Sequence, residues 1–154
     1  MSQPLLKTVG LKKYFKVPGG FLHAVDGVDL EIPRGKTLGV VGESGCGKST
    51  LGRSVLRLLE PTEGQVFFHG EDLLAYDKKQ MRQMRQKLQI IFQDPYSSIN
   101  PRLSVAEIIA EPMIVNKTFG SRREIFARVE QLMDTVGLAK RLATAYPHEL
   151  DGGR

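Results

Sequence analysis

The sequence predicts an α/β protein, and three features of the chain support this prediction. A glycine-rich loop at 42–49 lies between a short apolar run at 38–41 and a helical stretch at 50–59. Apolar and polar residues alternate over 24–32, which is typical of a half-buried strand. From about residue 95 onward capped helices follow, so we expect a mixed first part and a helical second part.

The first predicted elements surround the glycine-rich loop. The strand at 24–32 ends at the turn 33–35, and the apolar run at 38–41 follows as a predicted buried strand. The helix at 50–59 ends before Pro61, because proline cannot continue a helix. Four leucine and valine side chains recur along this helix at helical spacing, and they are Leu51, Val55, Leu58 and Leu59.

A strand at 64–68, a helix at 77–87 and a buried strand at 88–92 complete the first part of the chain. The helix carries a run of basic residues without interleaved aromatic residues. We interpret this run as a solvated helix face rather than a nucleic-acid surface. Its members are Lys78, Lys79, Arg82, Arg85 and Lys87.

Two capping boxes predict the helices of the second part. Ser104 is followed by Glu107, and Ser121 is followed by Glu124, which is the spacing at which serine and glutamate satisfy the first N–H groups of a helix. The second of these helices is predicted to end at Gly137. Its predicted apolar face consists of Ile125, Val129, Leu132, Met133 and Val136.

The loop at 42–49 matches the pattern G-x-x-x-x-G-K-[ST] at every fixed position. Glycines let the backbone bring its N–H groups against phosphate oxygens. Lys48 adds a mobile charge for the terminal phosphates, Ser49 places a hydroxyl where Mg²⁺ would bind, and the helix N-terminus favours negative charge. The predicted phosphate site consists of Gly42, Glu43, Ser44, Gly45, Cys46, Gly47, Lys48, Ser49 and Thr50.

The composition excludes several other classes of protein. Cys46 is the single cysteine, so the sequence contains neither an internal disulfide nor a cysteine-cluster metal site. No apolar run reaches the roughly 18 residues of a membrane helix, and the N-terminus lacks the layout of a signal peptide. We therefore expect a cytosolic protein of one domain, with a modest net charge of +5.

Two further segments, taken together with the loop, resemble motifs of ABC ATPases. Gln93 resembles the glutamine of their Q-loop, which follows the phosphate loop at a similar distance. Residues 150–154 read Leu-Asp-Gly-Gly-Arg and resemble the signature segment written L-S-G-G-Q. The order of the three motifs is more specific than the phosphate loop alone.

The resemblance is closest to the ATP-binding subunits of oligopeptide and dipeptide ABC importers, and it covers essentially the whole chain. The segments that carry it are 42–51, 91–102 and 146–150. Phe15 falls where this family places the aromatic ring that stacks on adenine. Tyr14 is the alternative, since an alignment shift of one residue would exchange the two rings.

This resemblance implies a RecA-like P-loop core with an N-terminal β subdomain at 1–94 and a helical subdomain at 95–154. It implies ATP and Mg²⁺ as cofactors. Lys48 and Gln93 would be the catalytic residues, and Ser49 and Gln93 would contact the Mg²⁺.

The resemblance also implies partners and a place in the cell. A second ABC ATPase subunit would complete the ATP site, and Asp151, Gly152 and Gly153 would approach the nucleotide bound to that subunit. Transmembrane permease subunits and a separate solute-binding protein would complete a peptide importer, without direct nucleic-acid contact. The ATPase would then be peripheral, at the cytoplasmic face of the cell membrane.

Two departures from the family pattern affect these expectations. The sequence ends at Arg154, before the family's second acidic motif and catalytic glutamate, so we expect the C-terminal part of the ABC ATPase fold to be missing and these residues to bind ATP with little or no turnover. Asp151 stands where the family has serine. A carboxylate facing a γ-phosphate is unfavourable, so we expect an asymmetric heterodimer.

Two alternatives remain open from the sequence. In a compact P-loop kinase, the predicted strand at 88–92 would lead to Asp94 as the Mg²⁺ ligand. In a non-hydrolysing nucleotide-binding module, the same phosphate loop would bind ATP without any catalysis.

Overall fold

A computed structural model describes residues 3–94 and 98–150 of the chain. The chain divides into two compact units, Met1–Ile90 and Ile91–Arg154. The first unit contains the sheet and the glycine-rich loop, and the second unit is helical.

The sheet of the first unit is antiparallel, with its four strands in the order β2-β1-β3-β4. The long strands β1 (Leu6–Val17) and β2 (Gly20–Ile32) form a hairpin, and β3 (Glu63–Phe68) and β4 (Glu71–Asp72) continue the sheet. The predicted strands at 24–32 and 64–68 are therefore confirmed.

The strand β1 is not evident from the sequence, because its inward side chains do not keep a period of two. Leu6, Thr8 and Leu11 are the buried residues of the strand, and the register shifts between Thr8 and Leu11. A bulge of this kind adds a residue to one strand and breaks the alternation.

The core of the first unit lies against this sheet. Its buried residues are Leu6, Leu11, Val66, Phe68 and Leu73. Leu51 and Val55 from the helix after the loop pack on this cluster and hold that helix to the sheet.

The predicted buried strands at 38–41 and 88–92 are wrong. Neither segment has a strand assignment, and Val41 and Ile91 are 93% and 97% exposed. An apolar run meets the composition of a buried strand, but a strand also needs a neighbour to exchange hydrogen bonds with. In the part of the chain that the structure describes, every paired strand is antiparallel and belongs to the sheet above.

The helix that follows the glycine-rich loop is α1 (Lys48–Val55). It begins two residues earlier than predicted and ends four residues earlier, because Arg57 takes a left-handed conformation with a φ of 52°. Arg85 donates hydrogen bonds to the carbonyls of Leu56 and Arg57, so a side chain satisfies backbone groups just beyond the helix end.

The helix α2 (Lys78–Met84) is shorter than the predicted 77–87, and Asp77 caps it in a capping box with Gln80. Lys78, Lys79 and Arg82 are exposed, as expected for a solvated face. Arg85 departs from that interpretation, since it is half-buried and donates to the carbonyls near the end of α1.

The second unit contains α3 (Val105–Val115) and α4 (Arg122–Thr135), and both predicted capping boxes are confirmed. Its core consists of Val105, Ala110, Met113, Ile125, Val129 and Met133. Leu132 packs against this core, but Val136 is 74% exposed. The placement of Val136 on the apolar face is wrong, because α4 ends at Thr135 and Val136 already belongs to the turn.

Among the described residues, no helix has the length and apolar character required to cross a membrane.

Gly64→Ala should destabilise the first unit. An added Cβ would lie 2.5 Å from the Gly10 carbonyl oxygen and 2.7 Å from the Leu11 Cα, and the φ of Gly64 is 94°. Left-handed strain and overpacking together should lower the free energy of unfolding by about 2 to 4 kcal/mol. Gly52→Ala is the matched control, because Gly52 lies inside α1 with no atom within 4 Å of the added Cβ. Urea unfolding should show a lower free energy of unfolding for Gly64→Ala and no decrease for Gly52→Ala. Equal free energies of unfolding for the two variants would contradict the close approach of Gly64 to the backbone of Gly10 and Leu11.

The capping box of α3 should make the stability of the second unit depend on pH. The backbone N–H of Ser104 donates to Glu107 Oε2 at 2.8 Å, and this hydrogen bond, with that of the Ser104 hydroxyl, lowers the pKa of Glu107. Since the pKa is lower in the folded state, the stabilisation is present above the ordinary glutamate pKa of about 4.3 and is lost as the pH falls through the folded-state value.

Glu107→Gln tests this dependence, because its amide oxygen still accepts the hydrogen bond but does not titrate. Urea unfolding at pH 7 and pH 3 should show a larger loss of stability for the unaltered protein than for Glu107→Gln. The same loss in both proteins would show that the carboxylate does not stabilise the cap.

Candidate phosphate-binding site

The glycine-rich loop curls around the side chain of Lys48, the first residue of α1. The Lys48 ammonium donates to the carbonyl oxygens of Gly42 at 2.8 Å and Glu43 at 2.6 Å, and it lies 3.6 Å from the Cys46 sulfur. The Cys46 N–H donates to the Glu43 carbonyl at 3.3 Å. Three residues of the predicted phosphate site therefore contact the Lys48 ammonium.

The N-terminus of α1 differs from those of the other helices described above. Its N-cap is Gly47, which has no side chain to accept a hydrogen bond. In α2, α3 and α4 the N-cap is Asp77, Ser104 or Ser121, and its side chain accepts a hydrogen bond from the backbone of the third helical residue. No side chain therefore competes with an anion for the first N–H groups of α1, which is what the phosphate-loop pattern requires.

A close backbone contact joins the loop to the β1–β2 hairpin. The φ of Gly47 is 94°, and a Cβ at this position would lie 2.1 Å from the carbonyl oxygen of Ala24 in β2. Only glycine tolerates both the left-handed conformation and this approach. The contact places the middle of β2 directly beside the start of α1.

The hairpin carries both aromatic residues that the sequence proposes for base stacking. Phe15 pairs with Leu22, and Tyr14 pairs with His23, the residue before Ala24. The side chains of both Phe15 and Tyr14 are half-buried. The structure therefore brings the candidate base-stacking residues and the phosphate loop into the same unit, joined through β2.

Tyr14 is already engaged by its neighbours. Its ring stacks on His23 with a centroid distance of 3.9 Å and an interplanar angle of 11°. Its hydroxyl donates to Asp26, and this hydrogen bond raises the pKa of Tyr14 and lowers the pKa of Asp26. His23 Nδ1 lies 3.5 Å from the other Asp26 oxygen. These contacts favour Phe15 over Tyr14 as the ring that remains available to a base.

The remaining predicted site residues are Ser49 and Thr50, which directly follow Lys48, and four residues that lie far from the loop in the sequence. Ser49 is exposed in the first turn of α1, and Thr50 is half-buried beside it. Gln93 belongs to the second unit and is exposed in a bend, so its role in catalysis and metal binding stays a prediction. Asp151, Gly152 and Gly153 lie outside the described residues.

Sequence patterns did not identify Ala24 or Lys13 as parts of this region. Ala24 matters through its carbonyl oxygen, which every residue has, so no sequence pattern marks it. Lys13 matters through its distance from Phe15, which depends on the bulges of β1. Both contributions depend on tertiary geometry rather than on residue type.

A phosphate loop on an α/β unit, followed by a capped helical unit, defines the class of ATP-binding cassettes. The chain belongs to the ABC transporter family, whose sequence model matches residues 25–154. The predicted fold class, an α/β ABC ATPase fold, is confirmed.

Two curated relatives are similar to the chain over its whole length. The oligopeptide transport ATP-binding protein OppF of Bacillus subtilis (strain 168) is 48% identical, and the dipeptide transport ATP-binding protein DppF of Escherichia coli (strain K12) is 42% identical. The matches cover 100% of the chain but 51% and 48% of those proteins. The chain therefore spans about half the length of these relatives.

Solved structures show the same architecture. A dimeric ATP-binding cassette in a post-hydrolysis state, bound to ADP and Pi, matches with a TM-score of 0.80 and 27% identity over 96% of the chain and 64% of that cassette. A protein from Clostridium perfringens that is part of an ABC transporter complex matches with a TM-score of 0.73 and 26% identity, covering 97% of the chain and 57% of that protein.

Proposed function

We propose that this protein is the ATP-binding subunit of an ABC importer for peptides or related solutes, and that it energises import by binding and hydrolysing ATP. The observation that carries the nucleotide part is the start of α1, where an uncapped N-terminus and the Lys48 ammonium meet in one glycine loop. The names of the similar oligopeptide and dipeptide transport proteins support the transport part.

The residues of the loop fit the phosphates of ATP. Its glycines leave backbone donors uncovered, and Lys48 can exchange two carbonyl partners for phosphate oxygens, which form stronger charge-assisted hydrogen bonds. We assign the phosphates to the loop residues at 42–50, with Lys48 stabilising the charge that develops during phosphoryl transfer. ATP supplies the phosphoryl group, and Phe15 would stack on its base.

Ser49 and Gln93 are the proposed ligands of Mg²⁺. The exposed hydroxyl of Ser49 and the side-chain carbonyl of Gln93 are oxygen donors of the kind that Mg²⁺ prefers. Ser49 would hold the ion beside the phosphates. Gln93 would contact the ion or orient the attacking water.

The proposed partners follow from the family. A second ABC ATPase subunit would complete the ATP site, with Asp151, Gly152 and Gly153 approaching the nucleotide of that subunit. Because Asp151 would bring an anion towards phosphate, we propose a heterodimer in which this signature serves the weaker site. Permease subunits and a solute-binding protein would complete an importer, with the ATPase at the cytoplasmic face of the membrane.

The family match counts against the kinase alternative, in which the 88–92 segment would lead to a Mg²⁺ ligand at Asp94. Residues 25–154, which include this segment, match the ABC transporter family model. A non-hydrolysing nucleotide-binding module shares the same phosphate loop and is distinguished from an ATPase by measuring turnover in the assembled transporter.

ATP should protect Cys46 from alkylation. The thiol is exposed and lies 3.6 Å from the Lys48 ammonium, so a nucleotide held by the loop would cover it. At an ATP concentration ten times the Kd, the alkylation rate should fall about ten-fold, in proportion to the free protein. Mass spectrometry of the peptide that contains Cys46 measures this rate.

Lys48→Ala should abolish the protection, because it removes the cation that the loop holds. Lys36→Ala removes an exposed charge just before the loop and should leave the protection unchanged. The assignment of the site would be overturned if ATP did not change the alkylation rate of Cys46 in the unaltered protein. Full protection of Cys46 by ATP in Lys48→Ala would also overturn it.

A further inference from the structure

A lysine covers one face of the proposed base-stacking ring. The ammonium of Lys13 lies 5.1 Å from the centroid of Phe15, and it donates to the backbone carbonyl of Glu60 at 2.7 Å. A cation at this distance from an aromatic face is attracted by the negative potential of the ring. The Phe15 ring is thus held from one side by a tethered charge.

The hydrogen bond from Lys13 ends at Glu60, whose own side chain is held by further contacts. The Glu60 carboxylate accepts from Arg57 Nε at 3.0 and 3.1 Å, and Arg57 also donates to the carbonyls of Leu73 at 2.7 Å and Tyr76 at 2.8 Å. Arg57 and Glu60 directly follow α1. The anchor of Lys13 is therefore connected to the helix whose other end carries the phosphate loop.

Lys12 and Lys13 are neighbours but make different contacts. Lys12 pairs with the Glu63 carboxylate at 2.8 Å, so an opposite charge offsets its own. Lys13 donates its hydrogen bond to a neutral carbonyl, and it makes no ion pair with any residue that the structure describes. The charge of Lys13 is consequently directed at the Phe15 ring.

We infer that Lys13 is a positioning residue for the nucleotide base. It fixes the Phe15 ring from one side, so that a purine stacks on the opposite face at a set position relative to the phosphate loop. This inference rests on the proposed function, because it assumes that Phe15 receives a base while the loop holds the phosphates.

Removing the charge of Lys13 should weaken the binding of the nucleotide base and leave the binding of the phosphates unchanged. Losing the cation frees the Phe15 ring and removes its polarisation, which weakens stacking. In the proposed site the phosphates would contact the loop at 42–50, so the change at Lys13 would leave their binding unaffected. Inorganic tripolyphosphate, which has no base, therefore separates the role of Lys13 from that of the loop.

The experiment compares equilibrium binding of ATP and of inorganic tripolyphosphate by calorimetry. Lys13→Met should weaken ATP binding about two- to five-fold, the range of an exposed cation–π contact, and leave tripolyphosphate binding unchanged. Lys13→Arg should retain ATP affinity, because a guanidinium also stacks over an aromatic ring. Lys13→Gln keeps a donor for the Glu60 carbonyl but has no charge, so it should weaken ATP binding as Lys13→Met does.

Lys16→Met is the matched control. Lys16 lies on the same strand and is exposed, so its loss changes the net charge equally without touching Phe15. ATP binding should be unchanged in this variant. If Lys13→Met does not fold, as judged by circular dichroism, the comparison of Lys13→Gln with Lys13→Arg decides the matter.

Three results would overturn the inference. The first is that Lys13→Met and Lys13→Gln weaken the binding of ATP and of tripolyphosphate equally. The second is that these two variants bind ATP as tightly as the unaltered protein. The third is that Lys16→Met weakens ATP binding as much as Lys13→Met does. A different result identifies failure of the proposed function itself: the unaltered protein would bind neither ATP nor tripolyphosphate.

Discussion

The backbone contact between Gly47 and Ala24 is the constraint on which the arrangement of the first unit depends. It puts the start of α1 against the middle of β2, closer than any side chain at residue 47 would permit. Because Gly47 is also the N-cap, the same residue leaves the first N–H groups of α1 without a side-chain partner. Close packing and an available anion site thus have one cause.

The helices differ in whether a side chain accepts hydrogen bonds from their first N–H groups. Every helix begins with backbone N–H groups that need acceptors. In α3 and α4 the serines Ser104 and Ser121 provide acceptors from the chain, which stabilises the second unit and fixes where each helix starts. In α1 no side chain does so, and Lys48 adds positive charge at the same place. A side-chain cap stabilises the start of a helix, whereas the start of α1 keeps its first N–H groups without side-chain partners.

Features that depend on neighbouring residues were predictable from the sequence, whereas features that depend on distant partners were not. The phosphate loop and both serine caps are local, so a short pattern specified them. The 38–41 segment has the composition of a buried strand, but its partner cannot be identified from its own residues, and the structure leaves Val41 exposed. The strand β1 was hidden for a related reason, since its bulge interrupts the alternation.

The candidate site shows the same division. One sequence pattern predicts all the residues of the loop, but no pattern chooses between Phe15 and Tyr14, because both rings suit a strand and a base. The contacts of the two rings favour Phe15: Tyr14 is engaged across the hairpin by His23 and Asp26, whereas Lys13 of the same strand lies over Phe15. These contacts depend on the register of the β1–β2 hairpin, which bulges set.

The most direct test of this account is an amide chemical-shift map of the isotope-labelled protein during titration with inorganic tripolyphosphate. The account predicts that the largest shifts occur at the backbone N–H groups of residues 45–50, with a smaller change at Ala24 across the close contact. Saturable shifts that cluster elsewhere and spare residues 45–50 would contradict it, because the uncapped start of α1 would then not be the anion site.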